Sequence, residues 1–376
     1  MSQSAARDSG SSAWPSMQPP PADQTCDYLD ESCVRSVPAV MNYVSHETLE
    51  VSTRRDTGGS DSTLVGAIWE PTVVRVANAR LGVNGVSDKK LTLERNGFEL
   101  YSNCQERSPH EVTNMDFLDH DQVVNQYYPI CEHLVHDALQ CYNKDDSPSI
   151  AGVFAFDHNV RSKAKNFGSI KTASNKSDIA PQIQNPASLV HADYTHVSAP
   201  KRLNDLCKAP KVNDVLRPKL LAQNKNSLLN PDMVREALEG KRRYAFINVW
   251  RSIDTEYPVK DCPLACIDAS TASMKDMRTF KIHYVDRVGE NYFVCPSSNA
   301  RRKHDWYYYP DMSIDEVLLL KQWDSFGGVA NDCDSDCGST STFTIHSAFI
   351  NSACLSDGVR PRKSIEVRCI VLWDKH

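Results

Sequence analysis

The chain has 376 residues, 40% of them apolar and 24% charged, with a formal net charge of -6. That length supports one large domain or two ordinary ones, and the mild negative charge argues against a nucleic-acid partner, since backbone binding needs a clustered basic surface. No apolar run approaches the roughly 18 to 20 residues of a membrane span, residues 1–23 lack the basic-then-apolar order of a secretory leader, and 13 scattered cysteines fit reduced cytoplasmic thiols better than a disulfide framework.

Residues 1–62 combine the triplet Pro19, Pro20, Pro21 with many Ser and Gly and read as a largely disordered tail. Residues 63–184 form an N-terminal α/β region packed on the core. It opens with LVGAIWEPTVVRV, a strand rich in branched residues. Over residues 119–142, Val123, Tyr127, Ile130 and Leu134 make one apolar stripe at helical spacing. SIAGVFAFDH follows as a buried strand ending near Asp157, and the polar stretch 163–186 reads as a lid-type loop.

From 185 to 373 short apolar strands dominate: SLVHADYTHV, YAFINVWRSI, MRTFKIHYV, NYFVCPS, FTIHSAFI and SIEVRCIVLW. Two helices are expected among them. Asn230 caps one, with Pro231 in its first turn and Gly240 as its stop. Ser313 and Glu316 make a capping box before VLLLKQW. The fold class expected is α+β, mostly β: a jelly roll with flanking helices and the N-terminal α/β extension. The basic clusters at Lys241 to Arg243 and Arg301 to Lys303 are too short to be more than solvated loops.

His191 and Asp193 carry the most chemical information. Strand alternation sends both to one face and His196 out of it. An imidazole and a carboxylate so placed need only a third ligand to make the two-histidine, one-carboxylate face that binds Fe(II) and leaves positions open. An H-x-D pair alone is equally compatible with a plain surface strand. The C-terminal strands add weight. His346 ends an apolar strand, and Arg362, Ser364, Glu366 and Arg368 share one face of the next. Two arginines on a buried face need anions. Glu366 supplies one, and a ligand carboxylate, held in a bidentate fork with a serine hydroxyl beside it, supplies the other. An exposed face of Arg–Glu cross-pairs is the competing account.

HADYTHVSAPKRL, FINVWR followed by PLACID, HDWYYYPDMSIDEVLLLKQWDS, and IHSAF followed by RKSIEVR resemble the fungal hydroxylase/desaturase family. That family includes aspergillic-acid-type hydroxylases and cephem-methoxylase-like proteins, among the non-haem Fe(II)/2-oxoglutarate-dependent oxygenases. NGFELYS and VFAFDHNVRSK extend the resemblance over residues 65–373. It implies a double-stranded β-helix (cupin-like) core, His191, Asp193 and His346 as iron ligands, and 2-oxoglutarate as co-substrate. It further implies oxidation of an unactivated C–H bond of a small molecule with O2 in fungal secondary-metabolite biosynthesis. Hydroxylation, desaturation and oxidative ring closure to an aziridine or endoperoxide all stay open.

Arg362 with Ser364 is the favoured co-substrate pair, ahead of Arg368. Asn248 is a further candidate, and Arg251, Tyr194 and Phe349 are candidate substrate-pocket residues. The oxidising chemistry belongs to the iron, and no separate acid or base is assigned. The sequence departs from the family in the acidic run Asn331 to Gly338. Its Cys333 and Cys337, with Cys262 and Cys266, have C-x3-C spacing, which fits free thiols better than zinc. The competing readings are a cupin-like metal hydrolase or isomerase without 2-oxoglutarate, and a non-catalytic ligand-binding barrel. Cytoplasmic localisation follows from the cysteines, no membrane or nucleic-acid partner is expected, and a homodimer is left open.

Overall fold

The computed structural model describes residues 11–30, 33–54, 64–83, 90–101, 112–142, 148–164, 183–211, 214–284, 287–299, 303–336, 338, 340–354 and 358–375. In chain order, strands β1 to β6 are Ser11–Ser12, Asp27–Asp30, Cys33–Val44, Val51–Arg54, Leu64–Val65 and Trp69–Asn78. Strands β7 to β12 are Phe98–Tyr101, Ile150–Ser162, His191–Ala192, Tyr244–Ser252, Leu264–Ile267 and Met277–His283. Strands β13 to β17 are Val288–Val294, Trp306–Tyr308, Val317–Asp324, His346–Ala348 and Lys363–Trp373.

Twelve strands make one sheet, in the order β1-β5-β4-β12-β13-β9-β16-β11-β14-β6-β3-β2. Five make the other, in the order β7-β15-β10-β17-β8. Their inner faces share a core in which Trp250, Leu318 and Leu320 of the smaller sheet meet Cys266 and Tyr307 of the larger. The fold is therefore the mostly β jelly roll that the strand pattern predicts. Alternation along β17 explains how its two faces differ. Ile365, Val367, Cys369 and Val371 join the apolar cluster that contains Cys131, Leu134 and Val135 of the outer helix Tyr128–Gln140. Ser364, Glu366 and Arg368 face the opposite way, into the barrel. No helix among the described residues is long and apolar enough to cross a membrane.

Several expectations need correction. Residues 1–62 are not largely tail: β3 is a 12-residue strand, buried over its last eight positions and paired along β6. Its VPAVMNYV segment is apolar enough to be a core strand, and the Ser- and Pro-rich residues before it obscured that. Nor does a boundary at 184 separate core from extension, because β8 pairs with β17 from Ile150 to Ser162 and runs well past Asp157. The Ser313–Glu316 box forms, with Glu316 accepting from the Ser313 N–H at 3.1 Å, but it closes a turn. The next residues form β15, where both faces of the run are buried between sheet neighbours, and burial overrides the capping signal. The helix expected at 119–142 is present, with a π segment at Val123–Tyr127 ahead of Tyr128–Gln140. Of the loop at 163–186, residues 165–182 lie outside the described residues.

One buried ion cluster ties β10, β15 and the short helix Leu93–Asn96 together. Lys321 Nζ lies 2.9 Å from Asp324 and 3.3 Å from Glu94. Arg243 Nε donates to Asp324 at 3.0 Å, and its guanidinium stacks over Trp373 at 4.4 Å. Burial alone would raise the Asp324 carboxyl, but Lys321 and Arg243 bring it down to about 2. Its folded value is thus below the roughly 3.9 of an unfolded chain. The stability it contributes is full above that range and is lost as pH falls toward 2. Removing one partner from such a cluster costs about 3–5 kcal/mol. Lys321→Ala should therefore lower the guanidinium midpoint markedly, and Asp324→Asn should flatten the acid limb of a stability-versus-pH curve.

Candidate functional site

The site begins with strand register. β9 lies between β13 and β16, and His191 is paired directly with His346 across the antiparallel β9–β16 bridge. Directly paired residues project to the same face, so the two imidazole centroids come within 4.4 Å. Asp193 follows β9, with Oδ1 3.5 Å from His191 Nε2. One ligand atom from each of His191, Asp193 and His346 lies within 4.8 Å of the others.

The rings are pre-set for coordination. His191 Nδ1 faces the Leu189 carbonyl at 2.8 Å and His346 Nδ1 faces that of Thr344 at 3.1 Å. A carbonyl only accepts, so each Nδ1 carries the proton and each Nε2 keeps a lone pair. Burial pushes His346 down to about 4, which leaves it neutral near pH 7. Burial would raise the Asp193 carboxyl. The adjacent imidazoles of His191 and His346 and the nearby charge of Arg368 override it, so Asp193 stays well below the usual carboxylate range. Two neutral nitrogens and one ionised carboxylate are a donor set that fits Fe(II).

Facing the triad are inward residues of the smaller sheet. Asn248, fully buried on β10, donates to Asp193 Oδ2 at 3.4 Å. Arg368, opposite Asn248 in register, pairs with Asp157 at 3.0 Å and Glu366 at 3.3 Å. Burial works against its charge, yet these carboxylates keep it firmly protonated. Arg362 and Ser364 differ. Arg362 donates through Nη1 to the Cys262 carbonyl and lies 5.5 Å over the Trp250 ring. Its Nε and the Ser364 hydroxyl are buried without a hydrogen-bond partner among the described residues. Burial, with Arg161 nearby, pushes Arg362 down to about 10.

The triad, Asn248, Ser364, Arg362 and Arg368 are thus brought to the barrel interior. Tyr194 joins them, stacked on Phe246 at 4.6 Å, and burial pushes its hydroxyl up to about 12. Arg251 is not brought there. It lies on the other face of β10, 5.7 Å over the Tyr127 ring, as its odd offset from Asn248 requires. Phe349 is fully buried and packs edge-on to Tyr308 at 5.4 Å, away from a pocket role. His196 bonds Tyr292 at 3.1 Å and the Val329 carbonyl at 2.8 Å, outside the triad.

Two interior residues escaped sequence reasoning. Arg161 stands opposite Ser364 and Asp157 opposite Arg368 on β8. Burial lowers the Arg161 pKa, and neither Arg161 nor Arg362 forms an ion pair with a carboxylate among the described residues. The signal was present: Asp157, Asn159 and Arg161 alternate at the end of a strand that begins apolar. It was missed because the strand was expected to end near Asp157.

The other polar clusters are self-contained. A cavity of about 620 Å3 is lined by Tyr43, His304 and Trp306. There His304 bridges Tyr43 at 3.0 Å and Asp276 at 3.3 Å, while Trp306 donates to the Tyr43 hydroxyl at 2.9 Å. Cys262 bonds Lys163 and Asp261, both at 2.9 Å, and Cys266 sits in an apolar cluster. Cys333 is an exposed free thiol and Cys337 lies outside the described residues. In the acidic run, buried Asp336 accepts from the backbone of Val329 at 2.8 Å and of Thr342 at 2.6 Å, which folds the loop on itself.

The model of the Oxidoreductase/YMDC permease-like domain (YDMC) matches residues 41–372. An uncharacterized protein in the dcmA 3' region of Methylophilus leisingeri is 33% identical over 228 residues, 61% of this chain and 89% of that one. Hydroxylase/desaturase efuI of Hormonema carpetanum is 25% identical over 297 residues, covering 77% and 81%. Fe(II)/2-oxoglutarate-dependent dioxygenase nvfI of Aspergillus novofumigatus is 28% identical over 187 residues, covering 50% and 52%. A solved iron and alpha-ketoglutarate-dependent endoperoxidase NvfI shares the fold, with TM-score 0.60 at 21% identity over 91% of this chain and 99% of that one.

Residues that orient metal ligands typically matter about 10- to 100-fold in metal affinity. Asn248→Ala should weaken Co(II) binding by that order in an equilibrium titration, with the fold retained by circular dichroism.

Proposed function

Because the chain belongs to the Oxidoreductase/YMDC permease-like domain family, we propose that its barrel interior is the site of an Fe(II)/2-oxoglutarate-dependent dioxygenase that oxidises a C–H bond of a small molecule. The observation that carries this reading is the triad set opposite an under-compensated anion site. His191, Asp193 and His346 are the residues that would hold iron. When bound, Fe(II) supplies the redox chemistry that couples O2 and 2-oxoglutarate to substrate oxidation.

The protein's own groups do the positioning. Arg362, short of a carboxylate partner, and the Ser364 hydroxyl supply a charge-assisted fork and a donor for the far carboxylate of the co-substrate. Arg161, across from Ser364, adds positive potential. Arg368 is a poorer candidate for that carboxylate, since Asp157 and Glu366 already occupy it. It acts on Asp193 instead, keeping that ligand ionised. Trp250, Leu318 and Phe98 form an apolar floor that excludes water and strengthens every charge interaction above it.

The free thiols among the described residues support a cytoplasmic setting, and light scattering distinguishes a monomer from a homodimer. The catalytic test is anaerobic loading with Fe(II) and 2-oxoglutarate, then exposure to O2 with succinate measured. Succinate should form only with both additions. Arg362→Ala should raise KM for 2-oxoglutarate at least about tenfold, as loss of one charge-assisted contact implies, and Arg362→Lys should recover part of it. Metal-dependent turnover that ignores 2-oxoglutarate would favour the hydrolase or isomerase reading.

A further inference from the structure

An open cavity of about 550 Å3 adjoins the barrel mouth, within the roughly 300–1,000 Å3 of small-molecule pockets. One wall is the helix Ser198–Leu206, which starts just after the metal-ligand segment. Its first turn is clamped to that segment: the Thr195 N–H donates to Ser198 Oγ at 2.8 Å, and the Ser198 N–H to Thr195 Oγ1 at 3.1 Å. One turn on, Arg202 lies over the Phe156 ring at 4.8 Å, and both line the cavity. Phe156 packs edge-on against Phe246 at 5.7 Å, and Phe246 stacks on Tyr194 beside Asp193. Packed rings thus connect the cavity wall at Phe156 to Tyr194 beside Asp193.

The charges on the walls do not cancel. Of the acids, Asp157 is held by Arg368 at 3.0 Å, Asp205 by Lys208 at 2.7 Å, and Asp214 accepts from the Leu216 N–H at 2.9 Å. Lys201 donates to the Val288 carbonyl at 3.0 Å. Neither Lys201 nor Arg202 forms an ion pair with a carboxylate among the described residues. The lining also includes the apolar Leu206, Val215, Leu216 and Leu220. An apolar trough with an unneutralised guanidinium at its rim suits a molecule with an apolar body and one anionic group.

We propose that this cavity receives the substrate, and that the substrate is an apolar carboxylic acid whose carboxylate is held by Arg202, with Lys201 in support. The body then lies along Leu206, Val215, Leu216 and Leu220 with its far end toward Phe156 and the triad beyond, so that a carbon remote from the carboxylate is presented for oxidation. This rests on reading the triad as an iron oxygenase site. Arg202 is a specificity-determining residue in this account and takes no part in the chemistry. Anchoring a non-reacting group far from the reacting carbon is how binding energy fixes orientation.

The test uses decanoate and methyl decanoate as probes, titrated calorimetrically into anaerobic protein loaded with Fe(II) and 2-oxoglutarate. Decanoate should bind at least about tenfold more tightly than the ester, as a charge-assisted contact implies. Arg202→Gln should abolish that ratio, Arg202→Lys should keep part of it, and Lys201→Gln should lower it less. No decanoate binding, equal binding of the two probes, or an unchanged ratio in Arg202→Gln overturns the proposal. Succinate formation, measured on the same preparations, separates the two readings. Turnover without acid–ester discrimination sinks this inference alone, while discrimination without 2-oxoglutarate-dependent turnover sinks the oxygenase reading alone.

Discussion

The cross-strand pairing of His191 with His346 is the constraint on which the site depends. The two residues lie far apart in sequence and meet only because β9 and β16 are antiparallel neighbours in one register. A slip by one residue would send one imidazole to the opposite face, and no side-chain rotation could restore the pair. The backbone that fixes the register also fixes the rings, since the carbonyls two residues before each histidine take the Nδ1 protons. Ligand position, tautomer and lone-pair direction therefore follow from one piece of strand geometry.

Charge balance on the opposing sheet sets two arginines apart. Arg368 is enclosed by Asp157 and Glu366, so it is a fixed charge with little left to offer a ligand. Arg362 has a carbonyl and an aromatic face for company and, among the described residues, no carboxylate ion pair. A buried cation in that state is costly unless an anion arrives, and the cost is what makes it selective for one. The same residue type is thus ion-paired within β17 and without a described carboxylate partner just before the strand begins. Only the partners differ.

Much of this was legible because period-2 alternation is local. Arg362, Ser364, Glu366 and Arg368 could be put on one face without knowing any tertiary contact, whereas His196 lies beyond the end of β9 at Ala192, where alternation no longer applies. Asn248 and Arg251 show the limit: both lie on FINVWR, but which of its faces looks inward is settled by the neighbouring sheet. β15 shows another, since a correct turn signal at Ser313 and Glu316 was attached to the wrong element. β3 was lost because composition was averaged over a window that mixed a polar leader with a buried strand. Arg161 and Asp157 were lost at a strand boundary, where sequence reasoning is weakest. Their partners on β17 come some 200 positions later in the chain, as the pairing of Asp157 with Arg368 (|i−j| of 211) illustrates.

The strand that hid those residues also carries the irregularity that shapes the barrel mouth. Ala155 pairs with Cys369 and Asp157 with Arg368, so Phe156 is an extra residue inserted into β8. In a regular strand Phe156 and Asp157 would point to opposite faces. A bulge re-aims one of them, and here both line the same cavity. Asp157 can then hold Arg368 behind the triad while Phe156 meets Phe246 inside the mouth and carries Arg202 on its ring. One inserted residue thereby links the group that keeps Asp193 ionised to the surface over which a substrate would pass. Deleting it would leave Ala155 opposite Cys369 and Asp157 opposite Arg368 in one unbroken ladder, so the pairing with β17 would be kept while the Phe156 contacts with Phe246 and Arg202 were lost.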